Sequence, residues 1–303
     1  MIVRSYQPGD EQLFLNLVNK AYRNLETLTI EQVKRLMSPP SFSPEGFFIA
    51  EEGAKAVGCV GAFNLAAEGF VETRYLAVKD AFSNPHVMNG LIEAALKYAT
   101  SKECRQLKAT VLTIQPYIEA YQRFDFKPVR RILRIAWDLA RVLEKERVDR
   151  GIATVEVSND DVDEAAHVFV EALQPYWDWW IEQKGGNQKI LNEFAESMRQ
   201  SPWLAAKVEN KIVGLTGVDP HPERGEASFF GVLVLPSYRM GGIGSVLMNA
   251  ALNKTRELGY DRLVVHTLAY LDALAPGVVL YIKSGGKIEA EYLHLVKELR
   301  RVE

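Results

Sequence analysis

The 303-residue sequence has two cysteines, Cys59 and Cys104, and neither belongs to a spacing that would make a disulfide framework or a metal site. Both read as buried or incidental free thiols, which points to a reducing cytoplasm. No stretch of about 18 apolar residues occurs, and the opening MIVRSYQPGDEQ has no basic segment followed by an apolar one, so neither a membrane span nor a signal segment is expected. Charge of one sign is also missing: 39 acidic against 36 basic residues leave a net charge of −3, with no global field to recruit nucleic acid or an anionic membrane.

What is there is ordinary globular material, with 48% hydrophobic and 25% charged residues. At roughly 150 residues per domain the length predicts two domains. Hydrophobic periodicity gives the first half this order: strand 2–5, helices 10–22 and 30–37, a hairpin of strands 47–51 and 57–63, strand 71–78, helix 87–100, strand 107–112, helix 116–124 and strand 129–137. The second half repeats it: strand 154–157, helices 162–173 and 189–198, a hairpin of strands 204–208 and 212–218, strand 227–235, helix 244–257, strand 262–267, helix 276–283 and strand 288–296. Val78 matches Val234, and the pair Pro116 and Tyr121 matches Pro276 and Tyr281. The charged stretch 143–150, followed by Gly151, is the natural connector, so the predicted domains are 1–150 and 151–303.

One segment carries chemistry. From Phe229 to Met248 a buried strand leads through Arg239-Met240-Gly241-Gly242-Ile243-Gly244 into a helix. The first turn of a helix has N–H groups without intrahelical partners and the positive end of the dipole, which suits a diphosphate. Glycines let the phosphate approach the backbone, and Arg239 can add a fixed charge. The turn has no Gly-Lys-Ser/Thr ending, and Leu247 stands where a dinucleotide fingerprint needs its third glycine.

The remaining pattern, Val-x-Pro-x-Tyr-Arg-x-x-Gly-x-Gly from Val234 to Gly244, resembles the acyl-CoA-binding motif of the GNAT superfamily of N-acetyltransferases. The resemblance implies an α/β (α+β) fold of two tandem acyl-CoA N-acyltransferase-like domains, each a mixed, mostly antiparallel sheet flanked by helices. It also implies an N-acetyltransferase that moves an acetyl group from acetyl-CoA, with no metal, to a primary amine on a small molecule or peptide by direct attack. In that family the loop holds the pyrophosphate, so Arg239, Met240, Gly241, Gly242, Ile243, Gly244 and Ser245 are expected around it. Leu233, Val234 and Leu235 would line the pantetheine arm, and the Val234 N–H would meet the thioester oxygen. In the first half Ser83, His86 and Met88 stand where Arg239, Gly242 and Gly244 do, and Asn84-Pro85 removes an amide donor, so that copy is expected to have lost CoA binding.

Leu280-Tyr281-Ile-Lys-Ser-Gly285 resembles the family's Leu-Tyr-x-Lys-x-Gly-Phe signature, with Gly286 in place of the phenylalanine and Leu274 where an asparagine is frequent. Tyr281 is the expected acid that protonates the departing thiolate. Some members of the family use a glutamate as base where Ser228 stands here, which leaves Glu226, two residues earlier on the same strand face, and His266 as candidates. Trp177, Asp178 and Trp179, in a segment with three of the five tryptophans, can hold a cationic amine by aromatic faces and charge, or serve packing. A noncatalytic acyl-CoA-binding sensor or scaffold keeps the Arg239 turn and needs neither acid nor base.

Overall fold

The structure is a computed structural model that describes residues 1–22, 27–37, 42–65, 69–80, 84–142, 152–175, 177, 181, 186–221 and 225–299. The connector 143–151 lies outside the described residues.

Strands β1 (Ile2–Ser5), β2 (Phe47–Glu52), β3 (Lys55–Leu65), β4 (Phe70–Val78) and β5 (Gln106–Leu112) form the first half with helices α1 (Glu11–Tyr22), α2 (Ile30–Leu36), α3 (Pro85–Ser101) and α4 (Gln115–Gln122), and β6 (Lys127–Asp138) ends it. The second half holds β7 (Ala153–Glu156), α5 (Val162–Leu173), α6 (Asn187–Gln200), β8 (Trp203–Val208), β9 (Lys211–His221), β10 (Glu226–Phe229), β11 (Leu233–Val234), α7 (Ile243–Glu257), β12 (Arg262–Ala269), α8 (Pro276–Lys283) and β13 (Lys287–Glu298). The periodicity found each of these elements to within a few residues at the ends, with one exception: the expected strand 227–235 is two strands, interrupted at 230–232.

Packing divides the chain into two compact units, Met1–Ile132 with Ala290–Glu303, and Leu133–Glu289. The expected boundary at 150/151 follows chain order, whereas in space each half gives up its last strand. In unit 1 the order is β1-β2-β3-β4-β5-β13, with β4 and β5 parallel and the other neighbours antiparallel. In unit 2 it is β7-β8-β9-β10-β12-β6, with β10 and β12 parallel. Both are mixed, mostly antiparallel sheets covered by helices, as the family resemblance implied.

The cores follow strand alternation. In unit 1, Val71, Leu107, Ala109 and Val111 pack with Val87, Leu91, Ile92 and Ala95 of α3, and Leu295 of β13 belongs to the same cluster. The opposite face packs Phe14 and Val18 of α1 against Phe47, Ile49, Phe63 and Leu112, again with residues of β13, Ala290 and Tyr292. In unit 2, Ala227, Phe229, Leu263 and Val265 pack with Met248, Ala251 and Leu252 of α7 and with Trp137 of β6. Across the sheet Phe169 of α5 and Ile190 of α6 meet Trp203, Leu215 and Leu233. At about 25 cal/mol per Å² of buried apolar surface, these faces are what hold each sheet to its helices.

Cys59 and Cys104 are free and buried. Burial pushes both thiols above their ordinary range, so neither is a reactive thiolate. No helix among the described residues is long and apolar enough to cross a membrane.

Candidate active site

The break at 230–232 organises the site. Up to Phe229, β10 is bonded on both sides, antiparallel to β9 and parallel to β12 through Ala227 opposite Leu263 and Ser228 opposite Val264. Beyond it, β11 stays with β9, Leu233 opposite Leu215 and Val234 opposite Gly214. The chain has splayed from β12. Leu235 N–H donates to Val213 O at 3.0 Å, so by alternation the N–H groups of Val234 and Val232 face the opened side.

Into that opening projects Tyr281 of α8. Its hydroxyl accepts a 3.0 Å hydrogen bond from Val232 N–H, and its ring makes edge contacts with Trp137 and Phe229 at 5.7 and 5.3 Å between centroids. Burial raises its pKa to about 12, a rise that the Val232 bond opposes, so the hydroxyl keeps its proton at neutral pH. The replacement of the signature phenylalanine by Gly286 has a steric cause: a Cβ there would lie 2.8 Å from Trp137 and Ile135, both from β6. An indole from the first half of the chain fills the place of the missing ring.

At the other end of the break, the three-residue turn Pro236–Tyr238 leads to Arg239 and then into α7, with Gly242 as its N-cap at φ +89°. That left-handed conformation is open to glycine at little cost. Ser245 and Val246 N–H close the first helical turn on Gly242 O at 3.0 and 3.2 Å, and the amides before them are the orphan donors of the helix start. Ile243, Leu247 and Met248 are buried beneath, while Met240, Gly241 and Ser245 are exposed. An anionic diphosphate fits this end of the helix.

Arg239 is placed differently from expectation. Its Nε donates to Val234 O at 3.1 Å, and one terminal nitrogen donates to Ala172 O and Gln174 O at 3.0 and 2.9 Å. The guanidinium therefore ties the loop to β11 and to the carbonyl end of α5, where the helix dipole favours a cation.

Of the two base candidates, Glu226 is bound by cations. It is 7% exposed and receives Arg134 at 3.1 and 3.3 Å and Arg262 at 3.2 Å, and both arginines also reach Glu289. Sequence reasoning missed this network because Arg134 lies 92 residues from Glu226. His266 is exposed on β12, two residues past Val264 and on the same sheet face as Ser228. Of the tryptophan segment, Trp177 is half-buried against the cluster around Phe169. Asp178 and Trp179 lie outside the described residues. Among the described residues, no group of three or more His, Cys, Asp or Glu is placed to hold a metal ion.

The first unit keeps the frame and changes the fittings. β4 leaves β5 after Thr73 opposite Ala109 while staying with β3 to Val78. Tyr121, the counterpart of Tyr281, instead shares a 2.9 Å hydrogen bond with the Thr73 hydroxyl. Glu72, the counterpart of Ser228, is buried and bonded to Arg74 at 2.6 Å and Thr110 at 3.0 Å. At the helix start the Asn84 side chain donates to Lys79 O and Asp80 O, His86 pairs with Glu52 at 2.9 Å, and Met88 is buried. Ser83 lies outside the described residues.

Comparisons with known proteins cover both halves of the chain. The family model described as the acetyltransferase (GNAT) family matches residues 15–126 and again 139–275. The chain belongs to that family. Among solved structures it resembles a GCN5-related N-acetyltransferase from Sphaerobacter thermophilus, with TM-score 0.81, 17% identity and coverage of 99% of this chain and 96% of that one. It also resembles a tandem GNAT protein from the clavulanic acid biosynthesis pathway, with TM-score 0.70, 14% identity and coverage of 98% of each. No curated protein matches the sequence. At these identities the structural likeness establishes the tandem fold, and the two family matches establish that both halves are GNAT domains.

Proposed function

We propose that this GNAT protein transfers an acetyl group from acetyl-CoA to a primary amine by direct attack in a ternary complex, at one site, in unit 2. The observation that carries the reading is the splay at 230–232, with the Tyr281 hydroxyl bonded to Val232 N–H on one side and the glycine-led start of α7 on the other. The amides from Met240 through Gly241, Gly242, Ile243 and Gly244 to Ser245 receive the diphosphate. Leu233, Val234 and Leu235 line the pantetheine arm, and the outward N–H of Val234 stabilises the oxyanion formed when the amine adds. Tyr281, protonated by virtue of its raised pKa, supplies the proton that the leaving thiolate takes up.

Two assignments change with the geometry. Arg239 shapes the phosphate loop from behind by holding Val234, Ala172 and Gln174 carbonyls, and the diphosphate is met by backbone amides. Glu226 is a structural ion, with both its oxygens engaged by Arg134 and Arg262. Unit 1 supplies no second acyl-CoA site, since Asn84, Pro85 and Met88 stand where the loop needs open amides and glycine.

The test is thiol release from acetyl-CoA across a library of amine metabolites, with products identified by mass. A product heavier than its amine by one acetyl group, together with titration to one acetyl-CoA per chain, is the expected result. Binding without turnover across the library would make the protein a sensor. Two equal sites per chain would overturn the assignment of unit 1.

A further inference from the structure

If Glu226 is locked by arginines and serine stands at position 228, the amine still has to lose a proton, because an ordinary ammonium with a pKa near 10 is not a nucleophile at pH 7. The register of unit 2 places another carboxylate at that point. Ser228 of β10 lies directly opposite Asp219 of β9 in the antiparallel ladder. Directly opposed residues project from the same face with Cβ atoms about 4.5–5.5 Å apart. Asp219 is part-exposed, its side chain being 40% accessible, and its Oδ2 lies 3.7 Å from Nε2 of His221, two residues along on the same face.

That face is the one on which the acceptor has to arrive. Phe230, the first residue of the break, follows Ser228 on it, bonded through its N–H to Gly217 O at 3.0 Å. Its ring is stacked on Trp203 at 4.9 Å with 24° between the planes and remains 40% exposed. The side of the sheet facing α7 and α8 is closed by Tyr281 and the apolar cluster around Phe229. The groups that share the face with Asp219 are His221 on its own strand, Glu226 on β10 with its partners Arg134 and Arg262, and His266 on β12.

We propose that Asp219, paired with His221, is the proton acceptor for the amine, and that Phe230 on its Trp203 backing is the wall against which the carbon adjoining the amine rests. This rests on the acetyl-transfer reading above. The carboxylate takes one proton from the ammonium, breaking an N–H bond, and the freed lone pair forms the N–C bond at the thioester carbon. The C–S bond breaks, and the thiolate takes the Tyr281 proton. The second proton lost by the amine nitrogen restores Tyr281, and Asp219 releases its own to solvent. The acceptor class that fits is a primary amine carried next to an aromatic or flat apolar group.

The experiment compares wild type with Asp219→Asn, Asp219→Glu, His266→Gln and Phe230→Ala, using acetyl-CoA and the best amine from the library. Asp219→Asn is expected to lose about 10²-fold or more in kcat/KM at pH 7. Its acetyl-CoA Kd should be unchanged, and the deficit should shrink toward pH 9.5 as the free amine deprotonates unaided. Asp219→Glu should restore part of the loss, and Phe230→Ala should raise KM for aromatic amines more than for small aliphatic ones. An Asp219→Asn enzyme that binds acetyl-CoA and turns over like wild type would overturn the proposal, as would a loss confined to His266→Gln. Wild type inert toward every amine would overturn the acetyl-transfer reading itself, which separates the two failures.

Discussion

Tyr281 concentrates the site's demands in one side chain. Its hydroxyl is a buried acceptor for Val232 N–H and, in the proposed reaction, the donor to sulfur. Tyr281→Phe removes both. Loss of the hydrogen bond leaves the part-buried Val232 amide without that partner, at a cost of about 1 kcal/mol in stability. Turnover is expected to fall by about 10²-fold, while acetyl-CoA affinity, which rests on the α7 amides, changes little. Calorimetry and steady-state kinetics on the same preparation separate the two effects. Because burial raises the hydroxyl pKa to about 12, deprotonation of Tyr281 does not limit activity anywhere below about pH 10. A wild-type alkaline limb centred near pH 9 would have to come from another group, and its persistence in Tyr281→Phe would show that.

The elements were largely legible and their junctions were not. Apart from the split of 227–235, apolar period and glycine turns located the α-helices and strands named above, because each buries one face and the pattern records it. The run from Ala227 to Leu235 reads as one strand since nothing local records that β12 departs after Val264. The same blindness explains Glu226: the arginines that bury it come from β6 and β12, 92 and 36 residues away. Gly286 departs from the family signature because Trp137 and Ile135 occupy the space a side chain would need. Arg239 was recognised by its motif, but its partners, the carbonyls of Ala172 and Gln174, are more than sixty residues away. From those contacts, Arg239→Gln should loosen the connection between the loop and the end of α5. The expected outcome is a weaker acetyl-CoA Kd by about tenfold, with faster amide exchange in 235–242 and in the last turn of α5. A large loss of affinity with exchange unchanged would instead assign the guanidinium to the diphosphate.

For the molecule as a whole, the duplication is closed by exchange of final strands, so stability does not partition at the middle of the sequence. Tyr292 through Glu298 of β13 pair with β5, and Leu295 lies in the cluster built on α3. Leu295→Ala should cost about 2–5 kcal/mol, the usual range for a cavity at a buried leucine. The loss should appear as exchange in α3 and β5 while α7 and β9 stay protected. His294, on the same strand, shares a 3.2 Å hydrogen bond with the Thr110 hydroxyl, which in turn donates to Glu72. Burial lowers the imidazole pKa to about 4, with Glu72 opposing the shift. A histidine depressed below its unfolded value near 6.5 is neutral in the fold and takes up a proton on unfolding, so its contribution is complete above pH 6.5 and is lost as pH falls toward 4. Glu72 acts in the same direction at lower pH: burial works against its ionised form, but Arg74 overcomes that and holds the carboxyl below its ordinary range. Unit 1 should therefore lose stability between pH 6.5 and 4, by at most ~1.4 kcal/mol per pH unit from His294. His294→Gln should flatten that slope in denaturant titrations read by the exchange of α3. An unchanged slope in the variant would place the acid lability elsewhere than on the strand that the second half lends to the first.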